Sequence, residues 1–163
     1  MTTDRAGFIS LYGGIYEHSP WVAETLFDNG AAASPLENTG PMAAIVESAP
    51  LEMQMTLLRA HPDLAGKLAK SGTLTVESTS EQASAGLDQC SQEEFEEFTA
   101  LNTRYRDNFG FPFILAVRGR NRHEILENFR TRVNNDTATE FREALDQVHQ
   151  IARLRLEALA NRP

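Results

Sequence analysis

His61 is the side chain in this sequence best suited to carry a proton, and it stands in the run LLRAHPDL. An imidazole has a pKa near neutrality, which makes histidine the usual residue for acid–base catalysis. Because proline disfavours helical backbone in the residue before it, we predict that His61 lies in a tight, partly buried turn at the exit of a helix. A lone histidine in such a turn is often a capping or packed side chain, so a structural role stays open beside the catalytic one.

Glu81 belongs to a polar segment, STSEQ at residues 78–82. An exposed loop is predicted over residues 69–79, and a short helix is predicted to start at Ser78. Ser78 and Glu81 have the spacing of a capping box, in which the glutamate closes the start of its own helix. The alternative is a binding site, because exposed N–H groups at a helix N-terminus favour an anion and these polar side chains can hold a small polar ring.

The last helical stretch contains an arginine where an apolar residue is expected. Its stripe recurs at spacings of three and four residues and consists of Phe141, Leu145, Val148, Ala152, Arg155 and Leu159. Such spacing places these residues on one helix face. A guanidinium on a core-facing stripe has to be paired, because a buried unpaired charge is strongly unfavourable. Arg155 is therefore predicted to form a salt bridge with an internal acidic residue, to reach solvent near the helix end, or to bind an anion in a pocket.

Composition and motifs argue against several other classes of protein. The formal net charge of −8 and a pI near 5.0 are unfavourable for binding nucleic acid or anionic lipid. The sequence lacks the HExxH, GxGxxG, GxxxxGK[ST] and GxSxG motifs of zinc, dinucleotide, nucleotide triphosphate and nucleophilic-serine enzymes. The one cysteine, Cys90, provides neither an intrachain disulfide nor a CxxC metal site. We therefore expect no metal site and no membrane span, and a cytoplasmic location.

The elements that must position these residues are helices. Apolar residues recur almost everywhere at helical spacing, and alternating strands joined by Asn-Gly turns are missing, so we predict an all-α fold. With 163 residues, 41% of them hydrophobic, the chain fits a single compact multi-helix domain over residues 1–163. Helices are predicted at residues 4–12 and from the capping box SQEE at 91–94. The aromatic run FGFPFILAV at 109–117 is predicted to be a buried turn through the core, before RHE at 122–124 starts another helix.

Several motifs, taken in order, resemble those of one enzyme family. They are YGG at 12–14, EHSPW at 17–21, HPDLAGK at 61–67, STSEQ at 78–82, AGLD at 85–88, LN at 101–102 with Tyr105, FGFPFI at 109–114, RG at 118–119 and IARLRL at 151–156. Separated motifs in the right order are far more specific than any one of them. The sequence resembles the decarboxylases of 2-oxo-4-hydroxy-4-carboxy-5-ureidoimidazoline (OHCU) over nearly its whole length.

The resemblance implies an all-helical enzyme, often a homodimer, that works without a cofactor. Its ureide substrate is the unstable product of 5-hydroxyisourate hydrolysis, so its pathway neighbours are urate oxidase and 5-hydroxyisourate hydrolase. The expected product is (S)-allantoin. The expected reaction needs neither pyridoxal phosphate nor a metal, because the conjugated ring of the substrate can accept the electrons left when carbon dioxide departs.

The resemblance also implies roles for individual residues. His61 is the acid–base residue, and Glu81 is its polar catalytic partner and a substrate contact. Arg155 binds an anionic or carbonyl oxygen of the substrate, in agreement with its unusual place on the apolar stripe. The remaining substrate contacts, made partly by backbone groups, are Pro62, Ser78, Thr79, Ser80, Gln82, Phe113, Ile114, Leu115, Ala116 and Val117.

Two other interpretations stay open beside this one. The first is a helical module that binds a ureide or a partner protein without catalysis, against which the intact His61, Glu81 and Arg155 argue. The second is a hydrolase that acts on a neighbouring ureide such as 5-hydroxyisourate. The usual proteins with that activity are rich in β-structure, which this sequence does not predict.

Overall fold

The computed structural model describes residues 4–65 and 74–162, and within these ranges it contains helices but no β-strand. This confirms the all-α prediction. The α-helices are α1 Arg5–Tyr12, α2 Trp21–Asn29, α3 Thr39–Glu47, α4 Leu51–Arg59, α5 Val76–Ser84, α6 Gln92–Phe109, α7 Arg122–Arg132 and α8 Thr137–Ala160. Short 3₁₀ helices lie at Pro35–Asn38 and Leu87–Gln89. None of the described helices is long and apolar enough to cross a membrane.

The described residues divide into two compact units. The first unit comprises residues 4–60 and 148–162, and the second comprises 61–65 and 74–147. Helix α8 contributes its first residues to the second unit and its last residues to the first. The single domain over the whole chain stays a prediction.

Helices α1 to α4 form most of the first unit. The Asp4 carboxylate accepts the Gly7 N–H at 2.7 Å and caps α1, which confirms the helix predicted at residues 4–12. The Phe8 ring of α1 lies 5.3 Å from the Phe27 ring of α2, measured between centroids. The buried core of this unit includes Tyr12, Tyr16, Val22, Leu26, Met42, Val46, Leu57, Leu58 and Leu156. Aromatic and aliphatic packing thus holds the short helices of this unit together.

Capping boxes fix where two helices of the second unit begin. At α6 the Ser91 hydroxyl accepts the Glu94 N–H at 3.1 Å, while the Glu94 carboxylate accepts the Ser91 N–H at 2.9 Å, as the sequence predicted. Asn121 and Glu124 make the same exchange at the start of α7. Helix α6 ends at Gly110, whose φ of 77° is the left-handed conformation that favours glycine. The chain then turns away from the axis of α6.

Residues 111–117 are buried and cross the aromatic core of the second unit. Phe113 stacks on Phe129 of α7, with 3.9 Å between ring centroids and 9° between ring planes. Tyr105 of α6 lies edge-on to both rings, at 5.5 and 5.9 Å. Such aromatic pairs add about 0.5–1.5 kcal/mol each beyond the area that they bury. The buried turn predicted over residues 109–117 is confirmed for residues 111–117, whereas Phe109 ends α6 and Gly110 is its exposed C-cap.

Candidate active site

His61 lies directly after α4 and is buried. Helix α4 ends at Arg59 and Ala60 forms its C-cap, so His61 is placed at a helix exit as predicted. His61 is 6% exposed, which is more burial than the sequence predicted. Its imidazole is therefore shielded from bulk water.

The turn after His61 is held by the side chain of Gln82 from α5. Ala65 has a φ of 52°, a left-handed conformation that is uncommon for a residue with a Cβ. Its N–H donates to Gln82 Oε1 at 3.0 Å, and Gln82 Nε2 donates to the Asp63 carbonyl at 3.3 Å. Gln82 is 4% exposed. The amide predicted to contact the substrate is therefore engaged in holding the backbone that follows His61.

Helix α6 makes two further contacts with this turn, which the sequence analysis missed. Asn102, which is 5% exposed, donates from Nδ2 to the Leu64 carbonyl at 3.1 Å. Arg106 donates from Nε to the Asp63 carboxylate at 3.0 Å. Asn102 and Arg106 are four residues apart, so they share one face of α6. That spacing of two polar side chains is the signal that could have revealed them.

Helix α5 begins earlier than the sequence predicted. Thr75 is its N-cap, and the Thr75 hydroxyl accepts the Ser78 N–H at 3.1 Å. The predicted start at Ser78 and the loop predicted through residue 79 are wrong, because threonine can cap a helix as serine does and Thr75 comes first. Glu81 then lies in the second turn, so the interpretation that it caps its own helix is wrong as well. Residues 66–73, which include the end of HPDLAGK and the start of the predicted loop, lie outside the described residues.

The residues of the STSEQ segment occupy different environments on α5. Ser78 and Gln82 are buried, because their spacing of four residues puts them on the same inward face. Glu81 is half-buried beside that face, and Thr79 and Ser80 are exposed. The inward face of α5 thus carries a hydroxyl and an amide, with the Glu81 carboxylate at its border.

Four backbone groups of the segment 113–117 already have hydrogen-bond partners. Arg132 Nη1 donates to the Ile114 carbonyl at 2.7 Å, and the Ala116 N–H donates to Gln147 Oε1 at 2.9 Å. The Ala116 carbonyl accepts from Arg120 Nε at 3.1 Å. The Arg120 N–H donates to the carbonyl of residue 117 at 3.0 Å. The N–H of Ala116 is thus taken, while each of the three carbonyls has a second lone pair for a further donor.

The Phe113 side chain is enclosed by the core. It is fully buried, stacked on Phe129, and covered by the Arg132 guanidinium, whose central carbon lies 4.4 Å from the ring centroid. A ring packed in this way has no surface to offer a ligand. The predicted contact at Phe113 is therefore restricted to its backbone.

Glu140 of α8 completes a buried polar network around Arg132. Arg132 Nε and Nη2 donate to Glu140 Oε2 at 3.1 and 3.0 Å, and the two side chains are 6% and 0% exposed. The Glu140 carboxylate also accepts the Tyr105 hydroxyl and, at 2.9 Å, the Asn135 amide. Burial, reinforced by the hydrogen bond to Glu140, raises the pKa of Tyr105. Both charges of the pair are thus desolvated and hydrogen-bonded at once.

Arg155 of α8 is buried and paired within the first unit. Its Nη2 donates to Glu17 Oε2 at 2.7 Å and its Nη1 to the Gly14 carbonyl at 2.9 Å. The side chain of Arg155 is 5% exposed. The salt bridge to an internal acidic residue, one of the alternatives left open by the sequence, is confirmed. The other candidate residues, His61 to Val117, belong to the second unit.

The other three histidines have surroundings unlike those of His61. The side chains of His18 and His123 are 62% and 74% exposed. His149 lies between Tyr16 and Glu47, with 2.8 Å from Nδ1 to the Tyr16 hydroxyl and 2.8 Å from Nε2 to the Glu47 carboxylate. Of the four histidines, His61 is the one that is buried.

Known proteins match this chain over almost its full length. The family model for OHCU decarboxylase matches residues 1–157. A Haloferax volcanii protein named 2-oxo-4-hydroxy-4-carboxy-5-ureidoimidazoline decarboxylase is 46% identical over 94% of this chain and 89% of that protein. The uric acid degradation bifunctional protein of Bacillus subtilis is 40% identical over 94% of this chain and 30% of that protein. The crystal structure of (S)-allantoin synthase is 35% identical, with a TM-score of 0.75, over 96% of this chain and 51% of that one. The extent of these matches, together with the shared helical fold, shows that the chain belongs to the OHCU decarboxylase family.

Proposed function

We propose that this chain converts OHCU to (S)-allantoin and carbon dioxide, as a carboxy-lyase of urate degradation. The observation that carries the proposal is the family match over residues 1–157. Three side chains support the proposal. His61 is buried at a helix exit and Glu81 is half-buried on α5, and both are suited to proton transfer. Arg155 is buried on α8 and is suited to anion binding.

The proposed chemistry follows from the structure of the substrate. Its name places the hydroxyl and the carboxylate on C4 and the ureido group on C5. The bond from C4 to the carboxylate breaks and carbon dioxide leaves. The released pair forms a C4=C5 double bond, and the π pair of the adjacent ring C=N moves onto its nitrogen, which takes a proton. A proton is then added to C5, and the C4 hydroxyl loses its proton to become the carbonyl of allantoin. Because the ring itself accepts the electrons, the reaction is proposed to need no cofactor.

His61 is proposed to handle the proton that determines the configuration of the product. Its burial after α4 restricts the approach of water, so that a proton delivered by the imidazole would reach one face of C5. The contacts of Gln82 and Asn102 with residues 63–65 support this role, because they fix the backbone next to the imidazole. Positioned general acid–base groups contribute about 10²- to 10⁴-fold to a rate.

Glu81 is proposed to orient either the His61 imidazole or an N–H of the substrate. It lies next to Gln82 on α5, the helix whose amide holds the turn after His61. An ionised carboxylate only accepts hydrogen bonds, and both the imidazole and the ureide offer N–H donors. Glu81→Gln should therefore lower kcat while leaving the helical circular dichroism unchanged.

Arg155 is proposed, from the family resemblance, to bind an anionic or carbonyl oxygen of the substrate. The hydrogen bonds to Glu17 and to the Gly14 carbonyl fix the plane of the guanidinium. The other proposed contacts are Pro62, Ser78, Thr79, Ser80, Gln82 and the backbone of residues 113–117.

The test is to generate OHCU in place from urate with urate oxidase and 5-hydroxyisourate hydrolase, and to follow the circular dichroism of the allantoin that forms. The unmodified chain should produce a fast (S)-allantoin signal. His61→Asn should abolish it, with a loss in kcat of about 10²- to 10⁴-fold. His123→Asn is the matched control, because His123 is a histidine of the same unit whose side chain is 74% exposed.

Each other outcome excludes part of the proposal. Racemic allantoin formed at the spontaneous rate by the unmodified chain would refute catalysis and favour a module that binds without reacting. Fast (S)-allantoin formation by His61→Asn would keep the activity but refute the role of His61. Equal losses in the His61 and His123 variants would show that the effect is not specific to the buried ring.

We also propose that the enzyme is a cytoplasmic homodimer that receives its substrate from 5-hydroxyisourate hydrolase. The family resemblance supports the dimer. Light scattering should give a mass of about twice the 18.1 kDa of one chain. A mass of one chain at the working concentration would refute the dimer without affecting the proposed reaction.

A further inference from the structure

We propose that Arg132 and Gln147 are positioning residues that set the segment 113–117 for substrate binding, an inference that rests on the proposed function. Neither residue belongs to a motif that the sequence analysis singled out. Both are buried at 5% exposure, and each makes a direct hydrogen bond to the backbone of the segment. They act through that backbone and not on the reacting atoms.

The Arg132 guanidinium makes three kinds of contact at once. Its Nη1 donates to the Ile114 carbonyl at 2.7 Å, its Nε and Nη2 bind Glu140, and its plane covers the Phe113 ring at 4.4 Å. The planar fork of arginine can make these contacts together, whereas the ammonium of lysine is a single point charge. Arg132 thus fixes both the side chain of one segment residue and the carbonyl of the next.

A contribution to stability alone does not account for this ion pair. Taking both charges out of water is unfavourable, and well-packed apolar side chains of similar volume are often as stabilising or more so. What an apolar side chain could not do is donate a hydrogen bond to the buried Ile114 carbonyl. The Glu140 carboxylate in turn compensates the charge of Arg132 and accepts the Tyr105 and Asn135 donors.

Gln147 anchors the same segment from α8. Its Oε1 accepts the Ala116 N–H at 2.9 Å, while its Nε2 donates to Glu143 Oε1 at 2.9 Å. The carboxylate of Glu143 can only accept, so it sets the orientation of the amide and turns Oε1 towards the segment. Arg132 of α7 and Gln147 of α8 therefore hold two backbone groups of the segment that lie two residues apart.

These anchors determine what the segment can offer to a ligand. The remaining backbone groups of the segment, among them the Ile114 N–H and both groups of Leu115, have no hydrogen-bond partner among the described residues. A buried backbone group without a partner is rare in a native protein and has to find one in water or a ligand. The substrate supplies ureide N–H and C=O groups that match them.

The first variant is Arg132→Lys, with Arg130→Lys as its matched control. Arg130 lies on the same helix and also pairs with a glutamate, Glu97, but at the surface. Arg132→Lys should raise KM for OHCU and Kd for (S)-allantoin by about tenfold or more, because a hydrogen bond from a charged donor is lost. The pH dependence of kcat should stay unchanged, since His61 is not touched, and Arg130→Lys should change neither constant.

The second variant is Gln147→Met, which removes the acceptor for the Ala116 N–H and leaves the Arg132 network intact. Gln92→Met is its control, because Gln92 makes the same kind of contact with a glutamate four residues away, on the surface of α6. Gln147→Met should also raise KM and Kd, by a smaller factor than Arg132→Lys, since a neutral hydrogen bond is weaker. It keeps the inference testable even where Arg132→Lys fails to fold.

The outcomes separate this inference from the proposed function. If both variants had the KM and Kd of the unmodified protein and only a lower melting temperature, Arg132 and Gln147 would stabilise the fold alone. That result would overturn the positioning role. Raised constants in the Arg132 and Gln147 variants, with both controls unchanged, would support it. Unmodified protein that neither makes (S)-allantoin above the spontaneous rate nor binds it would instead refute the proposed function, and this inference with it.

Discussion

Each unit of the described chain contains a buried arginine–glutamate pair, and the two pairs differ in what surrounds the carboxylate. In both pairs the guanidinium binds a glutamate and one backbone carbonyl. Arg132 binds Glu140 and the Ile114 carbonyl, and Arg155 binds Glu17 and the Gly14 carbonyl. All four of these side chains are 6% exposed or less.

The difference lies in which further residues surround each glutamate carboxylate. Glu140 also accepts the Tyr105 hydroxyl and the Asn135 amide, so its carboxylate is closed off by donors from within the second unit. Glu17 has His18 on its other side, 3.7 Å from Oε1, and the side chain of His18 is 62% exposed. Glu17 is thus bordered by an exposed residue, whereas the donors around Glu140 are buried or part-buried groups of its own unit.

The largest effect is expected when Glu140 is removed. Glu140→Ala leaves the Arg132 charge buried without its partner and takes the acceptor from Tyr105 and Asn135. The free energy of unfolding should fall by about 3–5 kcal/mol. Urea unfolding followed by circular dichroism measures the change. A smaller loss of stability in Glu140→Ala than in Glu17→Ala would contradict the predicted difference between the two ion pairs.

A smaller loss of stability is expected for Glu17→Ala. The Gly14 carbonyl still binds Arg155, and the carboxylate that is removed borders the exposed side chain of His18. The free energy of unfolding should fall by about 2–3 kcal/mol, measured in the same urea experiment. An unchanged urea midpoint would show that the pair at Arg155 is not an anchor of the first unit.

The proposed role of Arg155 in binding predicts an effect on KM. Arg155→Lys keeps the charge but loses the planar fork, so KM for OHCU should rise by about tenfold. Steady-state kinetics at saturating and limiting substrate separates KM from kcat. An unchanged KM would leave Arg155 with the structural salt bridge alone.

Alkaline pH should lower the free energy of unfolding, because each unit contains a buried tyrosine hydroxyl. Burial raises the pKa of Tyr16 in the first unit and of Tyr105 in the second, so both stay protonated in the folded chain when the unfolded chain ionises them. The free energy of unfolding is therefore unaffected by these phenols below the pKa of tyrosine in the unfolded chain, about 10. Above that pH it falls by up to about 1.4 kcal/mol per pH unit for each phenol. Urea titrations at increasing pH test it, and Tyr105→Phe should reduce the pH slope. Stability that rises across this range would contradict the assignment.

The smallest effect on stability is expected at the surface ion pair between Arg130 of α7 and Glu97 of α6. Arg130 donates to Glu97 at 2.6 Å through both Nε and Nη2, but 53% of its side chain is exposed. Exposed pairs are screened by water and salt and contribute little. Arg130→Ala should leave the urea midpoint unchanged within error, and a large shift would show that burial is not what distinguishes the Arg132 and Arg155 pairs.

Local chemistry made much of the helical fold predictable. The capping box at Ser91 and Glu94 and the helix from residue 4 depend on neighbours in the sequence, and the structure has both. The start of α5 was wrong because Thr75 and Ser78 are both acceptable caps, and local preference does not choose between them. The same limit applies to Gln82, whose hydrogen bonds to the backbone of residues 63 and 65 could not be predicted from local sequence.

The sequence by itself determined that Arg155 lies on an apolar helix stripe, so that its guanidinium has to be paired wherever it is buried. It also predicted that the aromatic run 109–117 crosses the core, which the structure shows for residues 111–117. Only the tertiary structure decided that the partner of Arg155 is Glu17, 138 residues away in the chain, and that Arg132 binds the Ile114 carbonyl. Spacing along a helix shows which face is buried, but a hydrogen bond depends on distances between atoms that only the packed fold brings together.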